Sequence, residues 1–249
     1  MSAAPTDLNA PASPGLALVI GAGGGLGAAL LAQLEQDRQA AGADGRVMGI
    51  SRSSELRMDY LDEASIRDAA SRVAELCAAS GLELRLLLVA TGFLHGQAGQ
   101  PERSLANLDE AYLRHVFAIN TLGPALVMKH FLPLLPKRGR CVAGFVSARV
   151  GSIGDNALGG WYGYRASKAA LNQLVKTAAV ELTRRNKDSI CVSLHPGTVE
   201  TPLSQPFAKT GLKVRPASEA ARQLLGVLDG LQASDSGALV DYQGLTLPF

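Results

Sequence analysis

The sequence predicts an α/β fold: one domain built on a doubly wound parallel sheet. Three observations carry this expectation. From Leu16 onward, short runs rich in Val, Leu and Ile alternate with longer segments of helical period. A glycine-rich stretch follows directly on the first apolar run. The run 86–90 is apolar without alternation, as in a strand covered by helices on both faces. With 249 residues and 47% hydrophobic content, the chain suits one large core better than two small ones. Residues 1–14, rich in Ala and Pro, are expected to form a disordered tail, and 15–249 the folded domain.

The first strand is expected at 16–20, where five apolar residues run into glycine. A helix at 25–40 starts inside the glycines, and the strand 46–51 closes the first unit. The next helix, 63–79, has Asp62 placed to cap its first turn. The apolar strand 84–90 then leads to a long helix, 108–131, with the unexpected insertions Asn120 and Gly123. A strand at 141–147 precedes a loop-like Val150-Gly151-Ser152, and a helix at 162–185 follows. The strand 189–195 ends at Pro196-Gly197, and a helix at 218–231 with a strand at 238–242 completes the alternation. Ligands of such sheets bind beyond the strand C-termini.

Lys+Arg exceed Asp+Glu by 24 − 22 = +2. The basic clusters Lys137, Arg138, Arg140 and Arg184, Arg185, Lys187 lie near expected helix C-termini, where cations complement the macrodipole. No aromatic residues interleave with them, so no nucleic-acid face is expected. Cys77, Cys141 and Cys191 have neither metal-ligand nor redox spacing and are read as buried and reduced. No metal site is expected. No run is long and apolar enough to cross a membrane, and a cytoplasmic protein is expected.

The chemistry is concentrated in Tyr164-Arg165-Ala166-Ser167-Lys168. At this spacing a phenol and an ammonium share one helical face, with Cβ atoms about 5–6 Å apart, so the cation can stabilise a phenolate. Upstream, Gly21, Gly25 and Gly27 lie between a strand and a helix, in a loop that lets backbone N–H groups approach a dinucleotide pyrophosphate. The second strand ends in Ser51-Arg52-Ser53, a guanidinium flanked by hydroxyls where selection of NAD commonly uses a carboxylate. This suits a 2′-phosphate, with Asp59 in reach of the adenine amino group.

With the glycine loop and Tyr164/Lys168 in place, the chain resembles the short-chain dehydrogenase/reductase superfamily from Leu16 to the C-terminus. Thr91-Gly92-Phe93-Leu94-His95, the segment Ser147-Ala148-Arg149-Val150-Gly151-Ser152-Ile153, Gly159-Gly160-Trp161-Tyr162 and Asp241-Tyr242-Gln243-Gly244 look like its C-factor-like carbonyl reductases. The resemblance implies a single Rossmann-fold domain that binds NADP, with NAD the alternative. It places the cofactor against Gly21, Gly25, Leu26, Gly27, Thr91, Gly92, Tyr164, Lys168, Pro196, Gly197, Val199 and Thr201, beside Arg52 and Asp59. Tyr164 would exchange a proton with the substrate oxygen, and Lys168 would hold the nicotinamide ribose and lower the tyrosine pKa. Asn120 would bend its helix and support a water chain from Lys168. His195, abutting the Pro196 turn, is read as structural.

Two departures stand out. The family's Asn-Asn-Ala-Gly is replaced by Val89-Ala90-Thr91-Gly92, with Thr91 expected to supply part of the missing bracing. Ala148 occupies the place of the family's catalytic serine, so Ser147 is the favoured substitute and Ser152 its rival. The expected function is NADPH-dependent exchange of a hydride with a small carbonyl or alcohol substrate, its specificity set by 94–101 and 202–214. The alternative is a non-catalytic dinucleotide-binding sensor or interaction protein. A homo-oligomer paired through 108–131 and 162–185 is the family's common arrangement.

Overall fold

The computed structural model describes residues 15–42, 44–207 and 214–249; the expected tail at 1–14 lies outside them. Seven strands form one sheet in the order β2-β1-β3-β4-β5-β6-β7. They are β1 (Gly15–Ile20), β2 (Arg46–Ile50), β3 (Glu83–Val89), β4 (Cys141–Val146), β5 (Ser189–His195), β6 (Leu239–Asp241) and β7 (Thr246–Leu247). All neighbours pair in parallel except β6 and β7.

Helices cover both faces. α2 (Glu63–Ser80), α4 (Gly123–Phe131) and α5 (Tyr162–Arg185) bury Ile66, Val127 and Leu171 against Leu16, Leu18 and Ile20 of β1. On the other face, α1 (Gly25–Ala41) and α6 (Ala217–Gly230) bury Leu30 and Leu224 against Val19, Leu86 and Val192. Each fully covered Leu or Val contributes about 1.5–3 kcal/mol. β3 serves both layers, as its unbroken apolar run implies. Its register against β1 skips Arg85, and this bulge places Leu84 and Leu87 in one layer and Leu86 and Leu88 in the other.

The basic clusters meet helix ends. Arg140 Nη2 donates to Leu228 O (2.7 Å) and Leu231 O (3.1 Å) at the end of α6. Arg185 Nη2 donates to Leu132 O (3.0 Å) and Leu135 O (2.7 Å) just past α4. Asp62 caps α2 by accepting from Ala64 N at 3.0 Å. All three cysteines are free; Cys141 and Cys191 are buried, which pushes their thiols up to about 11 and about 12, while Cys77 is half-buried.

Two elements depart from the expected periodicity, the first at Asn120, where the family resemblance implied a bend. The long helix at 108–131 is divided into α3 (Glu110–Phe117), a π turn (Ala118–Leu122) and α4. The cause is tertiary: the turn is where Asn120 reaches across to neighbouring elements. Gly123 follows because a Cβ there would lie 2.2 Å from the Tyr60 ring. The second difference is β7, formed where Asp241 Oδ1 accepts from Gln243 N (2.8 Å) and Leu245 N (3.0 Å) and turns the chain back on β6.

Candidate active site

The strand C-termini open into a cleft of about 480 Å³ lined from every βα connection except that after β2. At its floor, Gly21 N and Ala22 N both donate to Ile50 O (2.8 and 3.1 Å), bending the glycine loop over the end of β2. A Cβ on Gly27 would lie 2.1 Å from Gly21 O, so only glycine lets α1 start so close to the strand. α1 has Gly24 at its N-cap, with no side-chain cap and no acidic residue in the first turn. Its first N–H groups and the positive end of its dipole are suited to an anion, and a dinucleotide pyrophosphate fits this cradle. Thr201 closes over the loop, since a Cβ on Gly25 would lie 2.9 Å from its methyl group.

The hydroxyls flanking Arg52 border the same loop. A Cβ on Gly23 would lie 3.5 Å from Ser51 Oγ and 3.8 Å from Ser53 Oγ. Arg52 itself is exposed and lies outside the cleft wall. Asp59, also exposed, uses its Oδ1 locally to accept from Leu61 N at 2.9 Å.

Tyr164 and Lys168 lie on one face of α5, both buried and both lining the cleft. The Lys168 ammonium donates to Val146 O at 2.9 Å and stands 5.9 Å from the centre of the Tyr164 ring. Burial pushes the phenol up to about 12 and the ammonium down to about 8. Burial therefore works against the expected lowering of the tyrosine pKa. Desolvation outweighs the cation, whose nearest partner is a backbone carbonyl.

Asn120 is fully buried and braces two elements. Its Oδ1 accepts from Phe93 N (2.7 Å), and its Nδ2 donates to Phe93 O (2.8 Å) and Ser167 Oγ (3.1 Å). This ties the segment after β3 to α5, one residue from Lys168. Gly92 lies between, where a Cβ would be 3.6 Å from Lys168 Nζ and 3.7 Å from Asn120 Oδ1. Thr91 braces sideways instead: its hydroxyl donates to the Tyr60 hydroxyl at 2.7 Å.

Ser147 lines the cleft, and its hydroxyl already has a partner within the chain. Its buried hydroxyl donates to Asn172 Oδ1 at 2.7 Å, and the orientation of Asn172 follows from its Nδ2 facing Gly151 O at 3.4 Å. The hydroxyl hydrogen is thus directed at α5, while the side chain stays in the cleft wall. Ser152 is buried outside the cleft, accepting from Asp155 N at 3.1 Å. Ala148 does line the cleft.

The turn after β5 is clamped from below. Arg215 donates to Pro196 O (3.0 Å) and Gln223 Oε1 (2.7 Å), and its guanidinium lies 3.3 Å from the centre of the Tyr242 ring. A Cβ on Gly197 would lie 1.7 Å from Arg215 Nη2. Glu200 N donates to Arg215 O (2.7 Å) and Arg215 N to Thr198 O (3.0 Å), closing the base of the loop that carries Thr201. Of the expected specificity segment, 202–207 and Val214 are described; 208–213 lie outside the described residues.

Sequence reasoning missed several residues of this site. Asn172 continues the four-residue spacing of Tyr164 and Lys168, a signal that could have found it. Glu102, Phe207 and the conformation of Trp161 had no local signal. Glu102, buried, accepts from Gly163 N with both oxygens at 3.1 Å and so caps the start of α5. Among the described residues no cluster of His, Cys, Asp and Glu is arranged to hold a metal ion, and no helix is long and apolar enough to cross a membrane.

Known proteins resemble the chain in sequence and in fold. Residues 15–211 match the family model described as short chain dehydrogenase. The chain is 32% identical over 238 residues to 1-hydroxy-2-glutathionyl-2-methyl-3-butene dehydrogenase of Rhodococcus sp. (strain AD45), covering 92% of this chain and 97% of that one. It is 38% identical over 146 residues to C-signal of Myxococcus xanthus, covering 59% of this chain and 84% of the relative. The crystal structure of NADPH-bound carbonyl reductase from chicken fatty liver superposes with a TM-score of 0.77 at 25% identity, covering 95% of this chain and 99% of that one. With its glycine loop at the start of α1 and its Tyr164/Lys168 pair on α5, the chain belongs to the short-chain dehydrogenase/reductase family of NAD(P)-dependent oxidoreductases.

Proposed function

We propose that the protein reduces a small carbonyl compound with NADPH, and oxidises the corresponding alcohol in reverse, with Tyr164 as the proton donor and acceptor. The observation that carries this reading is the placement of Tyr164 and Lys168 on one face of α5, in the wall of the cleft whose floor is the glycine loop. The bound cofactor supplies the hydride. The N–H groups at the start of α1 would hold its pyrophosphate, Lys168 its ribose hydroxyls, and Thr201 with the 196–199 turn its carboxamide. Arg52, flanked by Ser51 and Ser53, would hold the 2′-phosphate.

A phenol pushed up to about 12 stays protonated near neutral pH. It can therefore hydrogen-bond the carbonyl oxygen and release its proton as negative charge grows there. The Lys168 ammonium stabilises the phenolate left behind. Leu94, Val150, Trp161 and Phe207 line the same cleft and would limit the access of water to the reacting atoms. The test is NADPH oxidation against a panel of ketones, aldehydes and quinones. Tyr164→Phe should bind NADPH normally and lose most turnover; near-wild-type reduction by this variant would refute the mechanism.

A second reading, a dinucleotide-binding sensor without turnover, is favoured by Ala148 and by the engagement of Ser147 with Asn172. It predicts NADPH binding with no oxidation across the whole panel. Pairing of two copies through the segments 108–131 and 162–185 is supported by the family likeness and by exposed Leu122 and Val180 within them, and the solution mass tests it. A cytoplasmic setting is part of the same proposal.

A further inference from the structure

We propose that the substrate is an uncharged carbonyl compound bearing a flat aromatic ring next to the carbonyl, an aryl ketone or aryl aldehyde. This rests on the carbonyl-reductase reading and adds the class of substrate to it.

The argument starts from Trp161, the only tryptophan in the chain. Its φ of 54° and ψ of 43° make it the one non-glycine residue with positive φ among the described residues. Such a conformation is strained for a bulky side chain and persists only when its surroundings over-determine it. Here they do. Trp161 N donates to Glu102 O at 2.6 Å, and the Glu102 carboxylate holds the next turn through Gly163 N. The result is an indole fixed beside the reacting phenol, with ring centroids of Trp161 and Tyr164 6.1 Å apart and nearly perpendicular at 80°.

The aromatic surface continues into the loop after β5. Phe207 meets Trp161 edge-on at 5.1 Å, and His95 meets Phe207 at 5.3 Å. His95 Nε2 lies 3.1 Å from both Pro202 O and Leu203 O, tying the loop after β3 to the loop that carries Phe207. Three separate connections thus hold one another, and two of their rings, Trp161 and Phe207, line the cleft with Tyr164. Edge-to-face rings favour a further ring added in the same manner.

Charge points the same way. Among the described residues lining the cleft, the lysines and arginines are Lys168 and Arg149. Lys168 is buried and bonded to Val146 O, and Arg149 is paired with Asp155 at 2.5 and 3.1 Å. Both are already engaged within the chain, so among the described residues the cleft wall offers no lysine or arginine without a partner.

The test compares acetophenone, its saturated counterpart cyclohexyl methyl ketone, and the anionic benzoylformate. Binding to the protein saturated with NADP⁺ is read by Trp161 fluorescence, which needs no turnover; kcat/KM is read by NADPH oxidation. Acetophenone should bind and react best. In kcat/KM, Trp161→Leu should reduce its advantage over the saturated ketone by roughly 2- to 13-fold, the value of one aromatic contact, and Trp161→Phe should retain most of it. Equal or better use of cyclohexyl methyl ketone or benzoylformate would overturn the proposal, as would an advantage untouched by Trp161→Leu. Oxidation of NADPH with all three compounds alike would leave a carbonyl reductase without the aromatic site. Selective acetophenone binding with no oxidation would keep the aromatic site and refute the reductase reading.

Discussion

Replacing Ser147 with alanine separates two roles for the residue beside the vacant serine position. The hydroxyl is buried and donates to Asn172 Oδ1 at 2.7 Å, joining the end of β4 to α5. Ser147→Ala removes the donor and leaves a buried carbonyl oxygen unpaired, which costs about 1–3 kcal/mol of stability. If the bond to Asn172 is its main work, kcat should fall less than tenfold. If Ser147 instead stabilises the developing oxyanion, the loss should be about 10²- to 10³-fold, the usual cost of one such donor. Urea unfolding midpoints and kcat for NADPH oxidation, measured on the same preparations, decide between them. We expect the stability loss without the large kinetic loss. A fall of 10²-fold or more at unchanged stability would refute this reasoning and return the catalytic role to Ser147. Ala148→Ser is the companion variant, because Ala148 lines the cleft in extended backbone. A serine there should raise turnover by supplying the missing donor.

Three further outcomes are expected. Arg52→Ala should weaken NADPH binding by roughly 10- to 150-fold and leave NADH nearly unchanged, since only NADPH carries the 2′-phosphate; equal losses for both in titration would remove Arg52 from that role. Asn120→Ala leaves Phe93 N–H and C=O without partners and should cost about 2–5 kcal/mol, read from unfolding midpoints, with a fall in kcat as α5 loses its tie to the segment after β3. Burial lowers the His195 pKa to about 4, so below about pH 6.5 the unfolded chain takes up a proton that the folded chain refuses. Stability should therefore fall as pH drops from about 6.5 to about 4, by about 3 kcal/mol at most, and His195→Gln should flatten that decline in urea titrations run across the window.

What the sequence determined by itself was the part of the molecule set by short-range pattern. The unbroken apolar run of β3 announces burial on both faces, and the four-residue spacing of Tyr164 and Lys168 places them together on α5 wherever that helix packs. The glycine loop is legible for a similar reason: the close approach of Gly27 to Gly21 O is a property of a few consecutive residues. Tertiary structure alone decided which partners the polar groups take. Asn120 forces a π turn because Phe93 and Ser167, 27 and 47 residues away in sequence, lie within reach of one carboxamide. Ser147 lines the cleft as its neighbour does, but its hydroxyl bonds Asn172 because α5 brings that residue within 2.7 Å of it. Trp161 adopts a left-handed conformation because Glu102, 61 residues before Gly163, holds the start of α5. Periodicity places a side chain on a face of its own element. A hydrogen bond to a distant residue depends on how the sheet order brings separate connections together, and no local pattern encodes that.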